Sequence, residues 1–450
     1  MSGASERFIR PVVDDSVIVE PYWDPTLKCN QKTYNKLVQR LSGQNYFYFT
    51  LDPENFVGVF FVWKSNNTML SMISDARRSN AGFYDPPPVQ LLTGEGLGAI
   101  EIEYDSQCSE DVTFIQSVMM FLGLTDVKDC FHRLRIPKWL ARHFSWRPVP
   151  ASVVGLAGIE LEGKILEPLD PVWPLPGSLC QGYSWALYFA QKANENLARS
   201  VSPFKDACIM RDRGPPVVFR LVKGALAADK HYYIYVDNVG ILGISREDVA
   251  HSLASLTEVF ESRGLILHAG GIHSESVRAV SVDMKGGEKH TKIELERLWK
   301  IRSAIKYVVG VGSVYGRVIE VLIGHCTFAG LVNRAVLSIF HFVYRFIEAK
   351  YDVRAKLWDS VSKELCAFSG AIFLLVQEWD RQWNRLVIIS DSSLEGYGVC
   401  HAWWGAECVG KVGRVSDRER FRRVGGHRAR ESALAAAGLH LEGSVWKVRG

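Results

Sequence analysis

The 450-residue chain carries 53 Lys+Arg against 49 Asp+Glu, a formal net charge of +4, with 47% hydrophobic and 23% charged residues. That balance excludes a disordered tail, a collagen and a small disulfide scaffold, and the length allows about three folding units. The charge is unevenly spread: Lys411 to Arg430 holds eight Lys/Arg and two acids, net +6, which leaves −2 for the rest.

Nine cysteines, odd in number and without a C-x-x-C pair, argue against a disulfide framework and a zinc knuckle. The first ten residues are polar and charged rather than apolar, unlike a secretory leader. The longest apolar runs fall far short of the ~20 residues that cross a bilayer. The expectation is a soluble intracellular protein with no membrane partner. The composition does not distinguish cytoplasm from nucleus, and it leaves the oligomeric state open.

Residues 1–30 are rich in Pro, Asp and Val without periodicity and read as an extended arm. Tyr34, Leu37, Val38 and Leu41 predict a short amphipathic helix over 31–41. The apolar run 57–62 predicts a buried strand, and Pro86-Pro-Pro88 makes 84–90 an extended loop. From there to about Met284, short β-type runs alternate with helical segments. After Gly287, Leu295, Leu298, Ile301, Ile305 and Val308 keep one helix face apolar. Two more helical stretches, 316–347 and 354–378, complete a region that reads as helical and without strands. A strand signal returns at 386–390 and opens a last short α/β segment.

Three segments carry chemistry. Residues 231–242 are two β-rich runs flanking Asp237-Asn238, a hairpin-turn signal because Asp and Asn tolerate positive φ. One reading is a surface hairpin; the other is a carboxylate set at the tip of a buried one. Residues 121–136 form an apolar run ending at Asp126, with Asp129 three residues on. One such Asp is ordinary capping chemistry. Two strand ends that each present a carboxylate suit hard divalent cations and in-line phosphoryl displacement. Residues 175–189 read as a Gly-rich turn entering an aromatic-lined helix: either a loop-to-helix junction or a surface that meets a base pair or phosphate.

Their order resembles the reverse transcriptase family over most of the chain. Lys64, then Ile73-Ser-Asp-Ala-Arg-Arg-Ser-Asn80, then Pro86-Pro-Pro88 resemble its fingers pattern, which carries Asp75 and Arg77. Asp126-Val-Lys-Asp-Cys-Phe131 is similar to the first palm motif, with Asp126 the metal-binding acid and Phe131 the gate against a 2′-hydroxyl. Gln181-Gly182 matches the motif that supports the templating pair and nucleotide. Tyr235-Val-Asp-Asn238 stands where the family has Y-x-D-D. Residues 388–398 resemble the first strand of a ribonuclease H domain, with Asp391 its first acid and Glu431 a second one on a helix.

The resemblance implies an α+β, right-hand polymerase (fingers, palm, thumb), then a helical connection and a partial RNase H-like α/β segment. The boundaries expected are an arm and helix at 1–45, fingers and palm at 46–284, thumb and connection at 285–380 and an RNase H-like segment at 384–450. It also implies two Mg²⁺ or Mn²⁺ ions on Asp126, Asp237 and Asn238, an RNA or DNA template with primer, and dNTPs held near Lys64. The motif order resembles that of LTR and tyrosine-recombinase (DIRS-like) retrotransposons, and residues 182–189 and 324–328 incline the resemblance to the DIRS-like side.

Four departures bear on activity. Ser71 stands where the family keeps a triphosphate-holding Arg, and a hydroxyl offers no fork of cationic donors. Asn238 brings no negative charge to a divalent-ion site. Val280-Ser281 replaces a Leu-Gly turn, and extra residues separate Pro176 from Gln181. Only 59 residues follow Asp391, so the expectation there is a truncated, inactive RNase H remnant. Its basic stretch 411–430 is either a phosphate-binding tail or a solvated loop. The runner-up function is a decayed element copy that binds template–primer without turnover.

Overall fold

Alternating apolar residues build a five-stranded sheet that both faces of the protein bury. The computed structural model describes residues 8–10, 19–64, 67–105, 111–204, 208–212, 214–215, 217–221 and 230–380, and beyond them the backbone of five strands. The chain divides into two compact units, Met1–Trp379 and Asp380–Gly450.

In the first unit the sheet runs, edge to edge, Cys208–Ile209, His231–Tyr235, Asn238–Gly243, Phe121–Asp126, Gly271–His273. All but the first pairing are antiparallel. Successive side chains of a strand point to opposite faces. Tyr232, Ile234, Val239 and Ile241 therefore enter one hydrophobic core, while Tyr233, Leu122 and Leu242 enter a second.

Two helices cover the first face. Ala186–Ser200 buries Ala186, Ala190, Asn194 and Ala198 along one i, i+4 line. Arg246–Ser262 starts where the Ser245 side chain accepts the Asp248 N–H, with Glu247 and Asp248 favourable in its first turn. Val249, Leu256 and Phe260 are its buried stripe.

The strand Gly58–Trp63 pairs antiparallel with Leu70–Asp75, and the helix Gln31–Ser42 buries Tyr34 and Val38. Residues expected as an extended arm include a short helix, Pro25–Cys29, because Asp24 caps it through the Thr26 N–H and Pro25 occupies its first position.

The region expected to be helical and strandless is corrected. Leu295–Val311 is a helix that ends at Gly312 in a left-handed conformation. The stretch 316–347 breaks after Gly316–Gly330 and resumes as Phe342–Lys350, and Asp359–Ala371 follows. Between them Ser313–Tyr315 pairs with Arg354–Lys356, and Val376–Glu378 pairs with His290–Ile293. The latter joins the sheet Ser276–Ala279, Val282–Lys285, His290–Ile293, Val376–Glu378. Periodicity missed these strands because three-residue pieces carry too little pattern to oppose flanking helices. Among the described residues no helix is long and apolar enough to cross a membrane.

The second unit is an antiparallel sheet in the order Val424–Gly425, Trp404–Val409, Gly396–His401, Val387–Ser392, Val445–Lys447. Asp391 lies on its Val387–Ser392 strand. Glu431 lies outside the described residues, as does most of the basic stretch 411–430.

Val280 and Ser281 form the two-residue turn between Ser276–Ala279 and Val282–Lys285, with φ 50° and 61°. Both values fall in the left-handed region that Asn-Gly fills without strain and that costs a β-branched residue about 1–2 kcal/mol. Val280→Asn with Ser281→Gly should therefore raise stability by about 1–2 kcal/mol. Chemical denaturation checks this; an unchanged or lowered midpoint would show that the Val280 side chain contributes packing that outweighs its strain.

Candidate active site

Antiparallel pairing brings the end of Phe121–Asp126 to the start of Asn238–Gly243, with Asp126 and Asn238 in register. Main-chain bonds close the corner. Val127 N–H donates to the Asp237 carbonyl at 2.8 Å, and His268 N–H donates to the Asp126 carbonyl at 2.9 Å. Burial raises the Asp237 pKa, and the Asp126 charge pushes it further the same way. The Asn238 amide opposes this by donating to Asp237 Oδ1 at 2.9 Å. His268 Nε2 stands 3.7 Å from Asp126 Oδ2, both side chains about half exposed.

The hairpin turn is offset by one residue from its expected centre. Tyr235 pairs with Asn238, so Val236 and Asp237 are the central residues and Asn238 already belongs to the strand. The positive φ falls on Val236, at 57°, rather than on an Asp or Asn. A β-branched residue there is strained unless its surroundings impose the conformation.

The surroundings are two buried amides on the helix Ala186–Ser200. Gln191 Oε1 accepts the Val236 N–H at 2.7 Å, while its Nε2 donates to the Ile234 carbonyl at 2.9 Å. Asn194 Nδ2 donates to the Val236 carbonyl at 2.7 Å. Both polar groups of the strained residue are thus held by side chains that are 1% and 0% exposed. Each bond stabilises by about 0.5–1.5 kcal/mol, and a lost partner would leave a buried group unpaired at about 1–3 kcal/mol. Sequence reasoning missed Gln191 and Asn194. The available signal was an Asn standing in a line of alanines at positions 186, 190 and 198.

The same helix leads back to the Gln181–Gly182 loop. Gly182 has φ 116°, and a Cβ there would lie 2.0 Å from the Ser74 carbonyl oxygen, so only glycine fits. Ser74 N–H donates to the Gln181 carbonyl at 2.8 Å. Asn80 donates to the Gly182 carbonyl and accepts the Ser184 N–H, both at 2.9 Å. The Gln181 Oε1 is buried without a protein partner.

Other expected site residues divide into two groups. Lys64, at the end of Gly58–Trp63, reaches Asp129 Oδ1 at 3.6 Å, which brings it beside the Asp126 loop and half-buried Phe131. Asp75 and Arg77 instead engage each other. Arg77 Nε and NH2 donate to the two Asp75 oxygens at 2.8 and 2.6 Å, and the Tyr22 N–H adds a third bond at 2.7 Å. The Arg77 bonds hold the Asp75 carboxyl at about 2. Ser71 sits opposite Val62 on the hairpin.

No protein-family model matches the sequence, and no curated protein matches it. Solved structures do match. The foamy viral protease-reverse transcriptase dRH in complex with dsDNA superposes with TM-score 0.51 and 11% identity, covering 88% of this chain. The chain spans 58% of that protein's length. A second foamy viral protease-reverse transcriptase structure, also with dsDNA, gives TM-score 0.50 and 11% identity over 96% of this chain and 76% of that one. The fold is reverse-transcriptase-like.

Within this reverse-transcriptase-like fold, Asp126 and Asp237 supply two hard oxygen donors and Asn238 an amide oxygen. Among the described residues no group of three or more His, Cys, Asp or Glu side chains gathers to hold a metal ion. The donor set fits Mg²⁺, which takes one or two carboxylates and completes its shell with water and substrate phosphates.

Asn194→Leu should destabilise the protein by about 1–3 kcal/mol by leaving the Val236 carbonyl unpaired. Val236→Gly in that background should cost more than it does alone, because glycine offsets its lost packing by relieving strain only while the clamp imposes that strain. A double-mutant cycle by denaturation measures this; strict additivity would remove the clamp from the account.

Asp75 has a depressed folded pKa, so its contribution is present above the unfolded value of 3.8 and is lost as pH falls through about 2. Wild type should lose about 1–2 kcal/mol relative to Asp75→Asn between about pH 5 and pH 2, the range allowing for the exposure of Arg77. Parallel pH-stability curves for the two proteins would refute the pairing as a source of stability.

Proposed function

We propose that the chain is an RNA-directed DNA polymerase, a reverse transcriptase of retrotransposon origin in the LTR/DIRS-like group. The observation that carries it is the corner where Asp126 and Asp237 meet, flanked by Lys64 and braced through Gly182 and the helix Ala186–Ser200. Both foamy viral neighbours are complexes with dsDNA, which supports nucleic acid as the partner. In this reading the strands around 58–75 are fingers, the five-stranded sheet is the palm, and the helices after Leu295 are thumb and connection. The antiparallel run of Val387–Ser392, Gly396–His401 and Trp404–Val409, with Asp391 on the first strand, supports an RNase H-like last unit.

The reaction joins a primer 3′-hydroxyl oxygen to the α-phosphorus of a dNTP, and the bond to pyrophosphate breaks. Two divalent cations held by Asp126, Asp237 and Asn238 would neutralise charge on the phosphoryl oxygens and on the attacking hydroxyl. The protein's own share is positioning. Gln191 and Asn194 fix where Asp237 points, Lys64 is close enough to exchange its Asp129 contact for a phosphate, and Phe131 crowds the sugar. The Gln181–Gly182 loop supports the nascent pair, and Tyr235 flanks the turn. Asp237 must ionise to hold a cation, and burial, which raises its pKa, opposes that ionisation.

Asn238 favours the second reading, a decayed copy that binds template–primer without turnover. Its amide is spent on Asp237 Oδ1, and it adds no charge where two cations would meet.

Primer extension on poly(rA)–oligo(dT) with Mg²⁺ or Mn²⁺ separates the two. Extension by wild type that falls at least about 10³-fold in Asp237→Ala establishes the polymerase. No extension by wild type, restored by Asn238→Asp, would favour decay.

A further inference from the structure

The helix Ala186–Ser200 buries a carboxylate as well as its two amides. Glu195 is 2% exposed and stands one turn beyond Gln191. Its Oε1 accepts Gln191 Nε2 at 2.8 Å, while its Oε2 lies 3.0 Å from Lys192 Nζ and 3.5 Å from Arg199 NH2. A buried charge is tolerated when it is both paired and hydrogen-bonded, and Glu195 meets both conditions. Burial pushes its pKa up, but the bonds from Gln191 and Lys192 and the charges of Lys192 and Arg199 bring it below the ordinary value. At neutral pH Glu195 is therefore a carboxylate, which accepts hydrogen bonds and donates none.

That one-sidedness acts on Gln191. A primary amide can turn end for end with little change of shape, so its partners decide which way the oxygen faces. Gln191 Nε2 meets two acceptors, the Glu195 carboxylate at 2.8 Å and the Ile234 carbonyl at 2.9 Å. Its Oε1 is left to accept the Val236 N–H at 2.7 Å. The reverse orientation would set an oxygen against both acceptors and an NH₂ against a donor. The carboxylate is the charged acceptor of the pair, and hydrogen bonds to charged groups are the stronger ones. The other amide has no such guide, since Asn194 Oδ1 is buried without a partner among the described residues.

We propose that Glu195 is a positioning residue for Asp237: by fixing the amide of Gln191 it holds the Val236 N–H, and with it the left-handed turn from which Asp237 leaves the hairpin. The consequence for catalysis rests on the polymerase reading, whereas the hold on Val236 rests on the hydrogen bonds alone. Lys192 and Arg199 have a supporting part, since their charges keep Glu195 ionised in a buried place. The feature that matters to Gln191 is an acceptor at position 195, and an uncharged oxygen there would serve the same orientation.

The test is hydrogen exchange of the full chain, resolved to the Val236 amide by fragmentation in the mass spectrometer, alongside primer extension. Glu195→Leu and Glu195→Met both remove the acceptor at similar volume, so either serves if the other does not fold; Glu195→Gln removes the charge and keeps an acceptor. Protection of the Val236 N–H should fall about 10-fold in Glu195→Leu or Glu195→Met and stay within about 2-fold of wild type in Glu195→Gln. In a Gln191→Leu background Glu195→Leu should change Val236 protection no further, because its route has gone. The rate of extension at saturating dNTP should fall in Glu195→Leu with the KM for dNTP unchanged, and Glu195→Gln should retain it. Equal loss of Val236 protection in Glu195→Gln and Glu195→Leu would assign the effect to the ion pairs and overturn the proposal. So would equal loss at the buried Leu256 and Phe260 amides of the neighbouring helix, which would mean general loosening. Unchanged Val236 protection in Glu195→Leu would overturn it as well. The expected exchange pattern without extension by any of the proteins would overturn the polymerase reading and leave the hold on Val236 standing.

Discussion

The geometry of the candidate site depends on one strained residue. Val236 occupies a left-handed conformation that a β-branched side chain resists, and that conformation sets the direction in which Asp237 leaves the hairpin. Two buried amides, Gln191 and Asn194, meet its N–H and its C=O. The helix that carries them starts beside the Gly182 loop, which is itself pinned to Ser74 and Asn80. Strand Leu70–Asp75, loop, helix and hairpin therefore form one connected brace. Strain at the tip is tolerated because relaxing it would cost Gln191 and Asn194 their buried bonds to Val236.

Electrostatics at the tip complements this rigidity. Asp126 and Asp237 are held close enough that one raises the pKa of the other, which is a cost in the absence of a cation. In the proposed reading a divalent cation would offset that cost. His268 stands 3.7 Å from Asp126 and Lys64 3.6 Å from Asp129, and both contacts are exposed enough for water to screen them. Asn238 lowers the charge of the corner by one relative to a second Asp, and so moderates both the repulsion and the attraction for an ion.

Away from the tip, cations serve packing as much as charge. Arg147 caps a short helix between two aromatic rings, and Arg77 is committed to Asp75. Lys64, 3.6 Å from Asp129 and partly exposed, is one cation placed beside the Asp126 loop to meet a polyanion. A near-neutral composition is thus compatible with nucleic acid binding, because placement rather than total charge determines the local field.

The sequence by itself determined the order of the strands and motifs. Asp126 ends one apolar run and Asp237 lies between two others, Gly182 follows a Gln after a Pro-Gly turn, and Asn80 follows Asp75 at fixed spacing. Those features are local, and local patterns survive in a single sequence. Only the tertiary structure decided the register that sets Asp126 against Asn238, and the shift of the turn from Asp237–Asn238 to Val236–Asp237. It alone decided the pairing of Gln191 and Asn194 with Val236, the commitment of Arg77 to Asp75, and the short strands within the helical region. The physical reason is common to all of them. Each is fixed by a hydrogen bond or contact between segments far apart in the chain, whose energy outweighs the propensity of the residues that make it, and propensity is what a sequence displays.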